Sequence, residues 1–177
     1  MIYVLLADGF EEIEAIEPID IMRRAGLMVM TVGIQTKNVC GAHGIKVEAD
    51  ITIADVNTAD MEMLVLPGGA GHTLLNESEE VHSLIDFAVQ NNIYIAAICA
   101  SPSILGRRGL LKGKKATCFP GFEQYLTGAH IVGDKAVIDG NMITGKGAGA
   151  AGDFGFLIVK TLKDKKTATE LKGVMQY

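Results

Sequence analysis

The sequence predicts an α/β protein built on a mainly parallel sheet with helices on both faces. Two observations carry this. Aliphatic runs at residues 2–7, 28–33, 63–66 and 93–98 have the unbroken apolar character of strands covered on both sides. Helix start and stop signals lie between those runs, and strands alternating with helices make parallel sheets. Hydrophobic residues fill 49% of the 177 positions, which suits a single domain over 1–177 with one sizeable core.

The first run, 2–7, is followed by a short acidic turn and a helix that stops near Arg23-Arg24-Ala25-Gly26. Gly26 permits the left-handed stop, and the two arginines suit the negative end of the helix dipole. A strand at 28–33 follows, then a Gly-containing stretch at 40–44 and a half-buried strand at 45–49. The buried strand 63–66 is stopped by Pro67-Gly68-Gly69-Ala70-Gly71. Ser78 caps a helix reaching about Gln90, with Glu79 and Glu80 in its first turn. The apolar strand ending at Ile98 runs into Cys99, and Pro102 marks the first turn of the next helix. Residues 116–118 form a short strand candidate. Residues 136–138 and 142–144 read as a hairpin around Asp139-Gly140-Asn141. Helices are expected at about 151–162 and in the tail 167–174.

Charge and cysteine usage exclude several function classes. Sixteen basic against 21 acidic residues give a net charge of −5, and no basic tract offers a nucleic-acid surface. No run approaches the ~20 apolar residues of a membrane span, and the N-terminal run lacks a basic flank. A soluble, cytoplasmic protein is expected. Cys40, Cys99 and Cys118 form no C-x-x-C pair, and His43, His72, His82 and His130 are scattered, so neither a disulfide framework nor a metal site is expected.

In parallel sheets ligands sit beyond the carboxyl ends of the strands. Loops 8–14, 67–71 and 99–101 leave such ends and are expected to converge. Cys99 stands at a sharp strand-to-helix turn with small residues two places away, Ala97 and Ser101, a cysteine analogue of the G-x-S-x-G elbow. A thiol there gains from free N–H groups and the helix dipole, so its pKa is expected below ~8.5. The alternative is a small core residue. The N–H groups of Gly69 and Ala100 could form an oxyanion hole, or Gly68-Gly69 could be an ordinary tight turn. Glu14 lies four residues before Pro18 among Ile13, Ala15 and Ile16; it is the acid drawn inward, where burial would keep it protonated. Glu11 and Glu12 read as solvated dipole partners and His43 as a surface loop residue. His72, just past the Gly loop, is a candidate for lining the pocket. Residues 147–152 match G-x-G-x-x-G, but no strand and acidic residue follow at the required distance, so helix packing is expected there rather than a nucleotide.

Glu11-Glu12-Ile13-Glu14, Leu66-Pro67-Gly68-Gly69 and Ala96-Ala97-Ile98-Cys99-Ala100 occur together and in order. In this the chain resembles the ThiJ/PfpI superfamily, in its DJ-one branch, over nearly its whole length. The resemblance implies a flavodoxin-like, class I glutamine amidotransferase-like three-layer sandwich, and a homodimer. It implies Cys99 as an oxidisable nucleophile, Glu14 as its protonated partner, Gly69 and Ala100 as backbone donors, and no cofactor. Implied activities are a glyoxalase or deglycase acting on methylglyoxal or its early adducts, or a peroxide-sensing, chaperone-like stress role. Two positions depart from the pattern. Ala100 stands where the protease-like branches carry His, which removes a Cys-His dyad. Phe119 stands before Pro120 where many relatives carry His. Its neighbour Cys118 is either a core residue or faces the site. An amidotransferase would need a His near the C-terminus, and none follows His130.

Overall fold

Strand β1 (Ile2–Leu6) carries no charged residue because both of its faces are covered. The computed structural model describes residues 1–177. After β1 come α1 (Glu12–Arg24), β2 (Val29–Gly33), β3 (Asn38–Cys40), β4 (Lys46–Glu48), β5 (Ile51–Thr52) and β6 (Met63–Leu66). Then follow α2 (His72–Glu77), α3 (Glu79–Gln90), β7 (Tyr94–Ile98), α4 (Pro102–Arg107), β8 (Lys115–Ala116) and β9 (His130–Ile131). The chain closes with β10 (Ala136–Asp139), β11 (Met142–Gly145), α5 (Ala151–Leu162) and α6 (Lys165–Val174).

Seven strands form one sheet in the order β10-β11-β7-β6-β1-β2-β5. Every pair is parallel except the β10–β11 hairpin at one edge. Successive side chains of a strand point to opposite faces. Accordingly Ile2, Val4 and Leu6 join an apolar layer with Ile19, Met22, Phe154 and Ile158 of α1 and α5. Tyr3 and Leu5 join the other layer, with Val81, Ile85 and Leu105 of α3 and α4. This is the mainly parallel, doubly covered α/β sheet expected from the strand and helix signals, and the flavodoxin-like three-layer sandwich that the resemblance implies.

The local signals behave as chemistry requires. Gly26 has φ +71° after α1, and Ser78 accepts a hydrogen bond from the Val81 N–H at 3.2 Å. Pro18 sits inside α1 without ending it. Helix packing uses Gly152, the last residue of the glycine-rich stretch, where a Cβ would lie 2.8 Å from Glu17 Oε1, and Gly155 beyond it, where a Cβ would come within 3.1 Å of the Pro18 Cα, so α1 and α5 approach closely. Three elements went unread in the sequence. The stretch before residue 45 contains β3, which pairs antiparallel with β4 in a small separate hairpin. Strand β5 is two residues long, and α2 begins directly at His72.

Candidate active site

The site lies where the chain reverses across the sheet. Strand β1 sits between β2 and β6, so successive connections leave it in opposite directions, and the crevice above such a strand is where open parallel sheets bind ligands. The loops there are tied to one another. The Glu11 N–H donates to the Gly68 carbonyl at 3.1 Å, Gly71 N–H to Gly9 at 2.9 Å, and Gly9 N–H to Cys40 at 2.7 Å. Gly69 has φ +81°, and a Cβ there would lie 2.9 Å from the carbonyl carbon of Phe10, so this interlock requires glycine.

Cys99 has φ +66°, a conformation that costs a non-glycine residue about 1–3 kcal/mol. Neighbouring hydrogen bonds hold it there. Its N–H donates to the Gly145 carbonyl at 2.9 Å, and its carbonyl accepts from the Phe119 N–H at 2.8 Å. The fully buried Ser101 hydroxyl donates to the Pro67 carbonyl at 2.5 Å, fastening the β7 turn to the β6 loop. The Gly69 and Ala100 N–H groups favour the thiolate form of Cys99.

Glu14, in the first turn of α1, is 1% exposed and lies against Cys99, with only the space of a Gly68 side chain shared between them. Its Oε2 accepts from the Gly68 N–H at 3.0 Å. Gly68 has no room for a side chain, since a Cβ would lie 2.5 Å from the Cys99 Cβ. Burial pushes the Glu14 carboxyl up to about 7, and the nearby Glu11 charge adds to this against the hydrogen bonds from Cys99 and Gly68. Burial, then the Glu14 charge and hydrogen bond, push the Cys99 thiol up to about 12. The expectation of a depressed thiol pKa is thereby overturned. The helix that was to lower it starts three residues on, at Pro102, and has only six residues. Desolvation and an adjacent carboxylate outweigh it. Protonating Glu14 removes the charge repulsion, so the thiolate is less disfavoured when the acid holds the proton.

The other candidate residues lie around this pair. His72 does not face the sulfur; its Nδ1 is 2.9 Å from the Gly69 carbonyl and its ring packs edge-on to Phe122. It braces the loop that carries the Gly69 N–H. Phe119 is 47% exposed and lies against Gly147, where a Cβ would be 3.2 Å from its ring and 3.8 Å from Glu14 Oε1. Gly147 therefore lies between Phe119 and the acid. Cys118 does not line the pocket. It is 4% exposed and belongs to the layer with Leu105 and Leu126, whereas Cys99 packs against the opposite layer.

Glu12 was misread as solvated. It is 7% exposed and ties α1 to the β3–β4 turn, accepting from the His43 N–H at 2.8 Å and the Ile45 N–H at 3.4 Å, with His43 Nδ1 at 2.9 Å. Burial works against its charge, but these donors, His43 first, hold it down at about 2. Glu11, Glu12 and His43 bring donor atoms within 4.8 Å of one another, a geometry that could hold a cation, yet both Glu12 oxygens already serve the turn. No helix is long and apolar enough to cross a membrane.

Known proteins share this arrangement of chain. Protein dj-1beta of Drosophila melanogaster is 35% identical over 177 residues, 97% of this chain and 95% of that one. The crystal structure of Drosophila DJ-1beta matches with a TM-score of 0.92 at 34% identity, covering 99% of this chain and 96% of the other. The glutathione-independent glyoxalase DJR-1.2 of Caenorhabditis elegans is 33% identical over 172 residues, 96% of this chain and 92% of its own. A deglycase of Pyrococcus horikoshii is 31% identical over 144 residues, 80% and 87% of the two chains. The chain spans less than half the length of the Arabidopsis thaliana DJ-1 homologs B and A, 40% and 46%, at 34% and 33% identity. A family model, DJ-1/PfpI, matches residues 1–161, and the chain belongs to that family.

Proposed function

We propose that Cys99 and Glu14 act together on small reactive carbonyls, converting methylglyoxal to lactate or reversing its early adducts on other molecules. The observation that carries this is the pairing of Cys99 at its strained turn with a 1% exposed carboxyl, Glu14, whose pKa burial raises to about 7. The similarity to a glyoxalase and a deglycase supports the same reading.

In the glyoxalase sequence Cys99, having passed its proton to Glu14, adds through sulfur to the aldehyde carbon of the oxoaldehyde. The new alkoxide is stabilised by the Gly69 and Ala100 N–H groups and takes the proton back from Glu14. Glu14, now a carboxylate, removes the proton of the hemithioacetal carbon, the hydroxyl proton of that carbon passes to the ketone oxygen, and Glu14 returns its proton to the adjacent carbon. One carbon is oxidised and its neighbour reduced, so no external oxidant is consumed and no cofactor is called for. The product is a thioester on Cys99, and water releases the 2-hydroxy acid. Wild type, Cys99→Ser and Glu14→Gln are compared for lactate formation. Both variants are expected to lose at least about 100-fold, the scale of a positioned acid–base group; equal rates in all three sink the proposal.

A second reading is a peroxide sensor. It is favoured by the isolation of Cys99, since Cys118 packs in the other layer and all three cysteines are free. With Cys118 in the other layer, the sulfenate from one peroxide proceeds with a second to the sulfinate, releasing one water each time. Mild peroxide should add two oxygens to Cys99 by intact mass and peptide mapping, and an unoxidised Cys99 removes this reading. Both readings carry with them a cytoplasmic homodimer, which sedimentation and fractionation test.

A further inference from the structure

Methylglyoxal is far smaller than the space next to the site. A cavity of about 460 Å³ opens beside Phe119, within the range that holds ligands of many atoms. Phe119 and Pro120 form one wall, and the backbone of residues 147–150 forms the other. The wall is open because it is made of small residues: nothing lies within 4 Å of a Cβ added at Gly149. Lys146 and Lys135 stand at the rim, held together by a hydrogen bond from the Lys146 N–H to the Lys135 carbonyl at 2.9 Å. Lys135 already holds Asp153 at 3.0 Å, whereas Lys146 makes no ion pair. No carboxylate lines this cavity. It borders the reacting pair at Gly147, where an added Cβ would lie 3.8 Å from Glu14 Oε1 and 3.2 Å from the Phe119 ring.

We propose that this trough is the tail subsite, taking electrophiles whose reacting carbon carries a flat apolar tail ending in an anionic group. The tail lies along the Phe119 ring and the 147–150 backbone, and the anion meets Lys146. The glycine-rich stretch that mimics a dinucleotide fingerprint then serves as a wall for substrate. The inference rests on reading Cys99 as the nucleophile of the site.

Alkylation of Cys99 by three iodoacetyl probes tests it without requiring turnover. The probes are iodoacetamide, iodoacetanilide and 4-(iodoacetamido)benzoate, with Cys40 as the internal reference, read by peptide mass spectrometry. Relative to Cys40, Cys99 is expected to react about three- to tenfold faster with the anilide than with iodoacetamide, as an aromatic contact provides. The benzoate should add a further ~2- to 5-fold that fades with salt, as an exposed ion pair does. Lys146→Gln should remove only the benzoate gain, leaving the iodoacetamide rate unchanged. Phe119→Ala should remove the anilide gain. Equal relative rates for all three probes in the wild type overturn the proposal, as does a benzoate gain that survives Lys146→Gln. Lactate formation from methylglyoxal is followed on the same samples. Graded alkylation without lactate refutes the glyoxalase reading and leaves the subsite standing. Lactate with flat alkylation does the reverse.

Discussion

Glu12 and Glu14 lie two residues apart in the first turn of one helix, and both are buried, yet their chemistry diverges. Glu12 is held at about 2 and Glu14 is raised to about 7. Burial acts against the charge of both. The difference is in the partners. Glu12 receives donors from His43 and Ile45, enough to keep it ionised. Glu14 receives one backbone N–H and faces a sulfur that is itself a proton carrier. One acid is thus a fastener for a hairpin, the other a proton store for a nucleophile. Donor count, not position on the helix, separates structure from chemistry here.

The sharpest way to break this comparison is to follow stability against pH. The Glu14 carboxyl is raised in the folded state above its ordinary value of 4.5, so the native chain binds more protons between about 4.5 and 7. Its stabilising contribution is complete below 4.5 and is lost as pH rises through 7, an amount of about 3 kcal/mol. Glu14→Gln should therefore gain about that much relative to wild type between pH 4.5 and 8 in urea unfolding. Glu12→Gln should show the opposite sign. Its loss relative to wild type is present above 4.5 and shrinks as pH falls towards 2. Parallel curves for wild type and Glu14→Gln would mean that Glu14 is an ordinary ionised acid.

A somewhat smaller effect comes from the glycines that abut each acid. A Cβ on Gly68 would meet the Glu14 carboxylate and lie 2.5 Å from the Cys99 Cβ; one on Gly41 would lie 2.5 Å from Glu12 Cδ. Each Gly→Ala change overpacks a filled space, at about 1–3 kcal/mol. Gly68→Ala is expected to slow Cys99 alkylation strongly, because acid and sulfur are forced apart. Gly41→Ala should lower stability by a similar amount and leave the alkylation rate unchanged. If both slow it equally, the two acids are one coupled unit and the distinction fails.

Much of this was readable from residue types. Ala97, Ser101 and Pro102 around Cys99 announced a turn between strand and helix, and the structure has Cys99 at φ +66°. The apolar neighbours of Glu14 announced an inward acid. Glu12 shares that local sequence, and nothing local announced its burial, because its partners are more than 30 residues away in a hairpin whose first strand, Asn38–Cys40, is three residues long. Helix α2 was hidden for a related reason: Gly71 begins it in a helical conformation without a side-chain cap. The thiol pKa was misjudged because the sequence shows a helix start but not how deeply the site is buried. Short elements and long-range donors are decided by tertiary pairing, which periodicity does not encode.

The smallest expected effect concerns the residue that separates this site from the pattern it resembles. Phe119 is half exposed across Gly147 from Glu14, and its ring cannot donate or accept a proton. Phe119→His places an imidazole there, with the backbone fixed by the Phe119 N–H bond to the Cys99 carbonyl. A second titrating group relieves Glu14 of some of its proton transfers. Lactate formation is expected to rise by about tenfold, below the ~100-fold of a fully positioned acid–base group, because the ring stays partly in water. The rise should follow imidazole titration near pH 6.5 and be absent in Phe119→Ala, which opens the mouth equally. A gain shared by the alanine variant would instead assign the limit to access, and Glu14 alone would then be carrying these transfers without penalty.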